Sequence, residues 1–179
     1  MREYLEIVDD CDQVIGKALR SECHGNPQLI HRVAHVLVFD RLGRLLLQKR
    51  SMRKDVQPGR WDTSVGGHLD PGESYAEAAA REMFEELGIA NLPLTFLHAY
   101  QMRSAFESEN VATFTTCHDG PFDFSIEEIE EVRFWTAQEI DATLSSGILT
   151  PNFVDEWARW QKEHSGGKSL MRFCWAKKS

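Results

Sequence analysis

Two spacings of apolar positions run along this chain, one near 2 and one near 3.6, and the changes between them mark out its elements. Residues 4–8, YLEIV, read as a short strand, and DDCDQVIG as a turn leading into a second strand. Residues 33–50, VAHVLVFDRLGRLLLQKR, set two apolar runs around Asp40 to Gly43, the pattern of a hairpin in a core sheet. From Ser74 to Gly88 the spacing is helical. Ser74 and Glu77 stand in the S-x-x-E capping arrangement, Ala76, Ala79, Ala80, Met83 and Leu87 are the predicted apolar stripe, and Gly88 closes the segment. LTFLHAYQMRSAF and ENVATFTTCH read as two more strands joined around Glu107 and Glu109. An acidic run then leads into VRFW, and Thr136 with Glu139 opens another helix. From Pro151 to Glu163, Phe153, Trp157 and Trp160 fall at i, i+4, i+7. This predicts an amphipathic helix whose aromatics belong to the core or to a dimer contact, so a homodimer is an open expectation. SGGKS after it reads as a loop, without the first glycine of a phosphate-binding loop.

Composition narrows the class. At 179 residues, 42% hydrophobic and 27% charged, the chain fits one ordinary globular domain. A formal charge of -8 argues against broad nucleic-acid or anionic-membrane binding, while leaving room for a local basic patch around a phosphorylated substrate. The N-terminus, MREYLEIVDDCD, lacks the basic and apolar regions of a leader, and the longest apolar run, Ala34 to Phe39, is far too short to span a bilayer. A cytoplasmic location is the expectation. Cys11, Cys23, Cys117 and Cys174 are scattered without a C-x-x-C pair, which predicts free thiols. The aspartates of DDCD do not form a calcium loop, because Val14 and Ile15 stand where one needs an oxygen ligand and a glycine.

The chemistry gathers on the predicted helix. Glu82 with Glu86, and Glu82 with Glu85, are i,i+4 and i,i+3 neighbours, so three carboxylates share a face away from the apolar stripe. Such oxygen donors suit Mg²⁺ or Mn²⁺, and Mg²⁺ completes its shell with water and substrate phosphate. The alternative is a solvated acidic face, since exposed like charges at this spacing cost only about 0.2–0.5 kcal/mol per pair. Before the helix, RSMRKDVQPGRW gathers Lys49, Arg50, Arg53, Lys54 and Arg60. These cations either hold substrate phosphates, Arg50, Arg53 and Lys54 above all, or form a solvated loop balancing the acidic helix.

Spacing decides between these options. Gly67, Glu73, Arg81, Glu82, Met83, Glu85, Glu86, Gly88 and Ile89 follow G-x5-E-x7-R-E-U-x-E-E-x-G-U at every position, with Met83 counted as the aliphatic. Seven such identities arise by chance on the order of 10⁻⁸ per starting position at ordinary residue frequencies. The stretch resembles the box of the Nudix hydrolase family. The resemblance implies an α/β Nudix fold, a mixed β-sheet sandwiched between α-helices (α/β/α), as a single domain over residues 1–179. Its core would span about 30–140, with the N-terminal β-hairpin and the C-terminal helix as additions. It further implies metal ligation by Glu82, Glu85, Glu86 and the Gly66 backbone, a structural ion pair between Glu73 and Arg81, and hydrolysis of a diphosphate linked to another moiety. Beside it stands a physical mechanism, in which a cation neutralises phosphate charge and activates water while a free carboxylate takes the proton. Glu86 suits either role, and Glu107, Glu109, Glu130 and Glu131 are further bases to consider.

A second resemblance is more local. RKDVQPGRWDTSVGGHLDPGES looks like the corresponding stretch of type I isopentenyl diphosphate isomerases, relatives with the same fold. His24, His31 and His68 match the three histidines of their metal site, and Glu107 and Glu109 match its E-x-E pair. Such a mixed set suits Mn²⁺ or Zn²⁺. Their catalytic cysteine is Gly66 here, so the isomerase reading lacks its acid–base thiol. The leading expectation is a Mg²⁺- or Mn²⁺-dependent hydrolase of a nucleoside diphosphate linked to another group. An allylic diphosphate isomerase is the alternative, and a non-catalytic nucleotide-binding module, motivated by the C-terminal tryptophans, is the third.

Overall fold

A computed structural model describes residues 3–164; the SGGKS stretch and Cys174 lie outside the described residues. The elements run β1 (Tyr4–Val8), β2 (Val14–Leu19), α1 (Arg20–Cys23), β3 (Ile30–Phe39), β4 (Leu45–Arg50), β5 (Trp61–Asp62), β6 (Val65–His68) and α2 (Tyr75–Leu87). They continue with β7 (Thr95–Arg103), β8 (Ser108–Cys117), β9 (Ile129–Trp135), α3 (Ala137–Thr143) and α4 (Pro151–His164). β1 and β2 pair as a separate hairpin. The other seven strands form one mixed sheet, ordered β5-β4-β3-β8-β7, with β6 added to β3 and β9 to β4.

The architecture is the expected α/β/α sandwich, and alternation along the central strands explains it. On β3, Ala34, Val36 and Val38 face one core with Leu46, Ala112, Phe114 and the α2 residues Ala78, Ala79, Met83 and Leu87. Leu37 and Phe39 face the other, with Leu45, Leu47, Trp135, Ile140, Phe153, Trp157 and Trp160. The predicted β3–β4 hairpin closes through Asp40, whose carboxylate accepts the backbone N–H groups of Leu42 and Arg44 at 2.9 and 2.8 Å. The two strands pair only at Phe39 and Leu45 and then part, so that β3 receives β6 and β4 receives β9.

Three sequence readings change. On α2, Ala76 and Ala80 are exposed and Ala78 is buried, so the apolar stripe is Ala78, Ala79, Met83 and Leu87 with Tyr75 beside it. The stripe turns toward Glu82 and Glu86, which are partly covered, rather than away from them. Second, β5, β6 and α1 carry too few residues to show a spacing, and β6 contains two glycines. Third, Phe153, Trp157 and Trp160 are buried at 1%, 2% and 6% exposure inside the chain's own core. They offer no surface to a nucleotide or a second subunit, which removes the motive for the binding-module alternative.

The α2 ends form as their residues dictate. Ser74 Oγ accepts the Glu77 N–H at 3.3 Å while Glu77 accepts the Ser74 N–H at 2.9 Å, and Gly88 turns the chain at φ 69°. A Cβ at Gly88 would stand 2.9 Å from the Asp123 Cβ and 3.1 Å from its carbonyl oxygen. Asp123 is itself held by a backbone bond to the Leu87 carbonyl. Gly88→Ala should therefore destabilise the protein by about 1–3 kcal/mol in urea denaturation; an unchanged midpoint would show that this cap carries no strain.

Candidate functional site

The site is built where β6 runs into α2. Strand β6 is fixed on β3 with His35 opposite Gly66, Ala34 opposite Gly67 and Val33 opposite His68. Above it, the Glu82 carboxyl lies against the Gly67 α-carbon, where an added Cβ would fall 2.0 Å from Glu82 Cδ. Only glycine admits that approach. Glu86 Oε2 accepts the Gln48 Nε2–H at 2.9 Å and the Gly66 backbone N–H at 3.3 Å. Burial first, then the neighbouring Glu82 charge, pushes the Glu86 pKa up to about 8, and burial likewise raises that of Glu82. Two covered carboxyls whose charged forms are disfavoured by burial suit a cation, and this donor chemistry fits a hard divalent ion. Glu85 is about half exposed and turned toward Arg81, and among the described residues the three carboxylates do not all approach within 4.8 Å of one another.

Arg81 joins loop to helix. Its Nε and Nη2 donate to the two oxygens of Glu73 at 3.0 and 2.9 Å, Nη2 also to the His68 carbonyl at 2.9 Å, and Nη1 to Glu82 and Glu85 at 2.8 and 3.2 Å.

A second cluster abuts the first through His68. The rings of His24, His31 and His68 lie 5.1–5.9 Å apart, with 3.4 Å between the Nε2 atoms of His24 and His68. The parallel register of β3 and β8 sets His31 opposite Glu109, with Nε2 to carboxylate at 3.7 Å, and Glu107 comes within 3.8 Å of His24 Nε2. His31 is fully buried; its Nδ1 lies 3.2 Å from the Leu29 carbonyl, and its Nε2 has no hydrogen-bond partner. That contact leaves the Nε2 lone pair aimed into the cluster. Burial, then the Arg20 charge, lowers the His24 pKa to about 4, and burial, then His31, lowers that of His68 well below the usual range. Neutral imidazoles beside two carboxylates, with one buried nitrogen orphaned, fit a transition-metal ion.

Both clusters open on one cavity of about 760 Å³, whose wall includes Arg20, Arg50, Lys54 and Glu128. The sequence-predicted cations divide there. Arg50 and Lys54 line the cavity, whereas Arg53 pairs with Glu127 outside it. Arg50 also donates to Asp62, Lys54 pairs with Glu128, and Lys49 with Glu130. Glu130 and Glu131 do not line the cavity, so neither is placed as a base.

The family model for the NUDIX domain matches residues 29–160. This chain belongs to the Nudix family. An uncharacterized Nudix hydrolase of Yersinia pestis is 35% identical over 162 residues, covering 88% of this chain and 85% of that one. An isopentenyl-diphosphate Delta-isomerase of Streptomyces avermitilis is 36% identical over 142 residues, covering 76% and 72%. Among solved structures, DR0079 from Deinococcus radiodurans superposes with a TM-score of 0.78 at 25% identity, covering 88% of this chain and 98% of that one. With its complete box, the chain is a Nudix-type pyrophosphohydrolase, an enzyme that cleaves diphosphates.

Behind the Nudix box lies a polar network that the motif does not mention. Glu156 on α4 is fully buried and meets His35 Nδ1 at 3.1 Å, His98 Nε2 at 2.7 Å, the Tyr100 hydroxyl at 2.7 Å and Thr113 Oγ1 at 3.1 Å. Two signals in the sequence point to it: His35 interrupts the longest apolar run, and Glu156 falls on the stripe of Phe153, Trp157 and Trp160. Burial alone would raise the Glu156 pKa, but hydrogen bonds from His35 and His98 hold it well below the usual range. Burial works against charge on the two histidines, but the hydrogen bond and charge of Glu156, joined at His98 by Glu163, together outweigh it and raise both.

The sign of the pH effect follows. The lowered carboxyl contributes stability above its unfolded pKa of about 4.3 and loses it as pH falls, while the raised histidines contribute below about 6.5 and lose it as pH rises. Glu156→Gln should therefore cost about 3–5 kcal/mol near pH 5.5, and the gap to the parent should narrow toward both acid and alkaline pH. Urea denaturation across pH 3–9 checks this, and a pH-independent gap would refute the charged network.

Proposed function

We propose that this Nudix enzyme hydrolyses a phosphoanhydride bond in a nucleoside diphosphate linked to another moiety, with Mg²⁺ or Mn²⁺. The observation that carries this reading is the pairing of Glu82 and Glu86 against the Gly66–Gly67 backbone, in the cavity that Arg50 and Lys54 line. Glu82, Glu85 and Glu86, with the Gly66 backbone, would hold the cation. When bound, it supplies charge neutralisation at the phosphate and a more acidic water. Glu86, held in place by Gln48 and the Gly66 N–H, accepts the proton of the attacking water. The water oxygen bonds to phosphorus, the bond from that phosphorus to the bridging oxygen breaks, and the bridging oxygen leaves with the departing phosphate. Arg50 and Lys54 orient the phosphates, Lys54 exchanging Glu128 for substrate oxygens.

The histidine cluster supports a second cation, Mn²⁺ or Zn²⁺, on His24, His31, His68, Glu107 and Glu109. It also favours the second reading, an allylic diphosphate isomerase, together with the 36% identical relative. Against that reading stands Gly66, which supplies no acid–base thiol, and where a Cβ would meet the His35 ring at 3.1 Å, so that a side chain there would require the ring to give way. The cytoplasm is the compartment we assign, on the free thiols of Cys11 and Cys23.

With a panel of nucleoside diphosphate derivatives and Mg²⁺ or Mn²⁺, the protein should turn over at least one compound, and Glu86→Gln should lower kcat by on the order of 10²–10⁴-fold. Inactivity throughout, or a variant as fast as its parent, would sink the hydrolase reading. Solvent deuterium entering isopentenyl diphosphate would establish the isomerase instead. Calorimetric titration tests the second cation: His31→Ala should weaken Mn²⁺ or Zn²⁺ binding by at least about tenfold, and equal affinity would exclude the cluster as a metal site.

A further inference from the structure

Most of the residues that line the cavity are polar. Its apolar side chains are Val33, Val56, Pro151 and Phe106, and Phe106 is the one Phe, Tyr or Trp among them. Phe106 is 48% exposed, yet its backbone is tied from both sides. Its carbonyl accepts the Gly25 N–H at 3.0 Å and its N–H donates to Ser104 Oγ at 3.1 Å. The same Ser104 hydroxyl accepts the Glu107 N–H at 2.9 Å, closing the turn between β7 and β8. The ring also sits 6.3 Å from that of His24. A single exposed aromatic is common on any surface; one that lines a cavity, with its own N–H and carbonyl both bonded, is already organised to meet a ligand.

We propose that Phe106 is a stacking platform for a flat ring on the substrate, and that it selects nucleotide-type diphosphates over alkyl ones. The inference rests on the hydrolase reading for the identity of the diphosphate and goes beyond it in naming what recognises the rest of the molecule. Position supports it. Glu107, the next residue, comes within 3.8 Å of His24 Nε2, and the Phe106 ring itself lies beside His24, so the ring stands on the cavity wall next to the histidine cluster. The surroundings decide which class of ring. An isoprenoid chain needs a continuous apolar wall, which Val33, Val56 and Pro151, scattered among charged and amide groups, do not supply. A nucleobase needs one aromatic face and polar partners for its edges. The side chains of Gln57 and Asn152, on the same wall, have no hydrogen bond within the described residues and serve as such partners.

The test uses binding, so that it does not depend on turnover. The full chain with Mg²⁺ is titrated calorimetrically with an α,β-methylene analogue of ADP-ribose, with methylene diphosphate and with geranyl diphosphate. Phe106→Ala should weaken binding of the ADP-ribose analogue by roughly tenfold, within the range that base stacking commands, and shift methylene diphosphate by less than twofold. Phe106→Trp should restore binding, with its fluorescence quenched by the analogue, and Phe106→Leu should not. Equal binding of the analogue by parent and Ala variant would overturn the proposal. So would rescue by Leu as good as by Trp, or a larger loss for geranyl diphosphate than for the analogue. If the parent hydrolyses no diphosphate yet binds the analogue through Phe106, the hydrolase reading fails and the platform stands.

Discussion

Arg81 spends every arm of its guanidinium on the box: two nitrogens on Glu73, one of these also on the His68 carbonyl, and the third on Glu82 and Glu85. The loop after β6 buries Leu69 in the core, and the rest of its path into α2 is set by these bonds and by the capping of the helix. Charge-assisted, bidentate bonds to a fork of fixed geometry give that path little freedom. The same contacts turn the Glu82 carboxylate onto the Gly67 backbone. Everything that follows, from the covered Glu86 to the placement of His68 between the two clusters, depends on loop and helix being held in this one relation.

The legible parts of the fold were those with local causes. Helix α2 announces itself through Ser74, Glu77 and Gly88, whose effects act within a turn of the residue that carries them. Of its alanines only Ala79 was placed correctly, because Ala76, Ala78, Ala79 and Ala80 cannot be ranked by hydrophobicity and only the position of the sheet chooses among them. Strands β5 and β6 were invisible for a related reason: two to four residues, half of β6 being glycine, show no alternation. Likewise His31 and Glu109 become neighbours through the parallel pairing of β3 with β8, which no spacing in the chain expresses; family resemblance joined them, and the register supplies the physical reason.

Electrostatics explains why the acidic protein keeps cations in its cavity. The loop of residues 51–60 is pinned to the acidic segment before β9 through Arg53–Glu127 and Lys54–Glu128, and Lys49 on β4 pairs with Glu130 on β9. These pairs are mostly solvent-facing and individually weak, about 0–1 kcal/mol each. A phosphate group with higher charge density competes well against a partner held so loosely. By contrast, the pairs around Glu156 are buried and fixed, and they anchor α4 to β3, β7 and β8. The site thus has a rigid back and an exchangeable front.

The parallel pairing of β3 with β8 separates what this scaffold can vary from what it cannot. A parallel pair needs a crossover, and here the crossover carries β4, β5, β6, α2 and β7, so the whole box is the connection between two adjacent strands. An insertion within β3 or β8 would slide one strand past the other and turn His31 or Glu109 to the opposite face. The loop of residues 51–60 joins β4 to β5 at the surface, and lengthening it adds only slowly to the entropy of closure. Added length is therefore tolerated in that loop and in the turn bearing Phe106, whereas the two central strands must keep theirs for the histidine cluster to form.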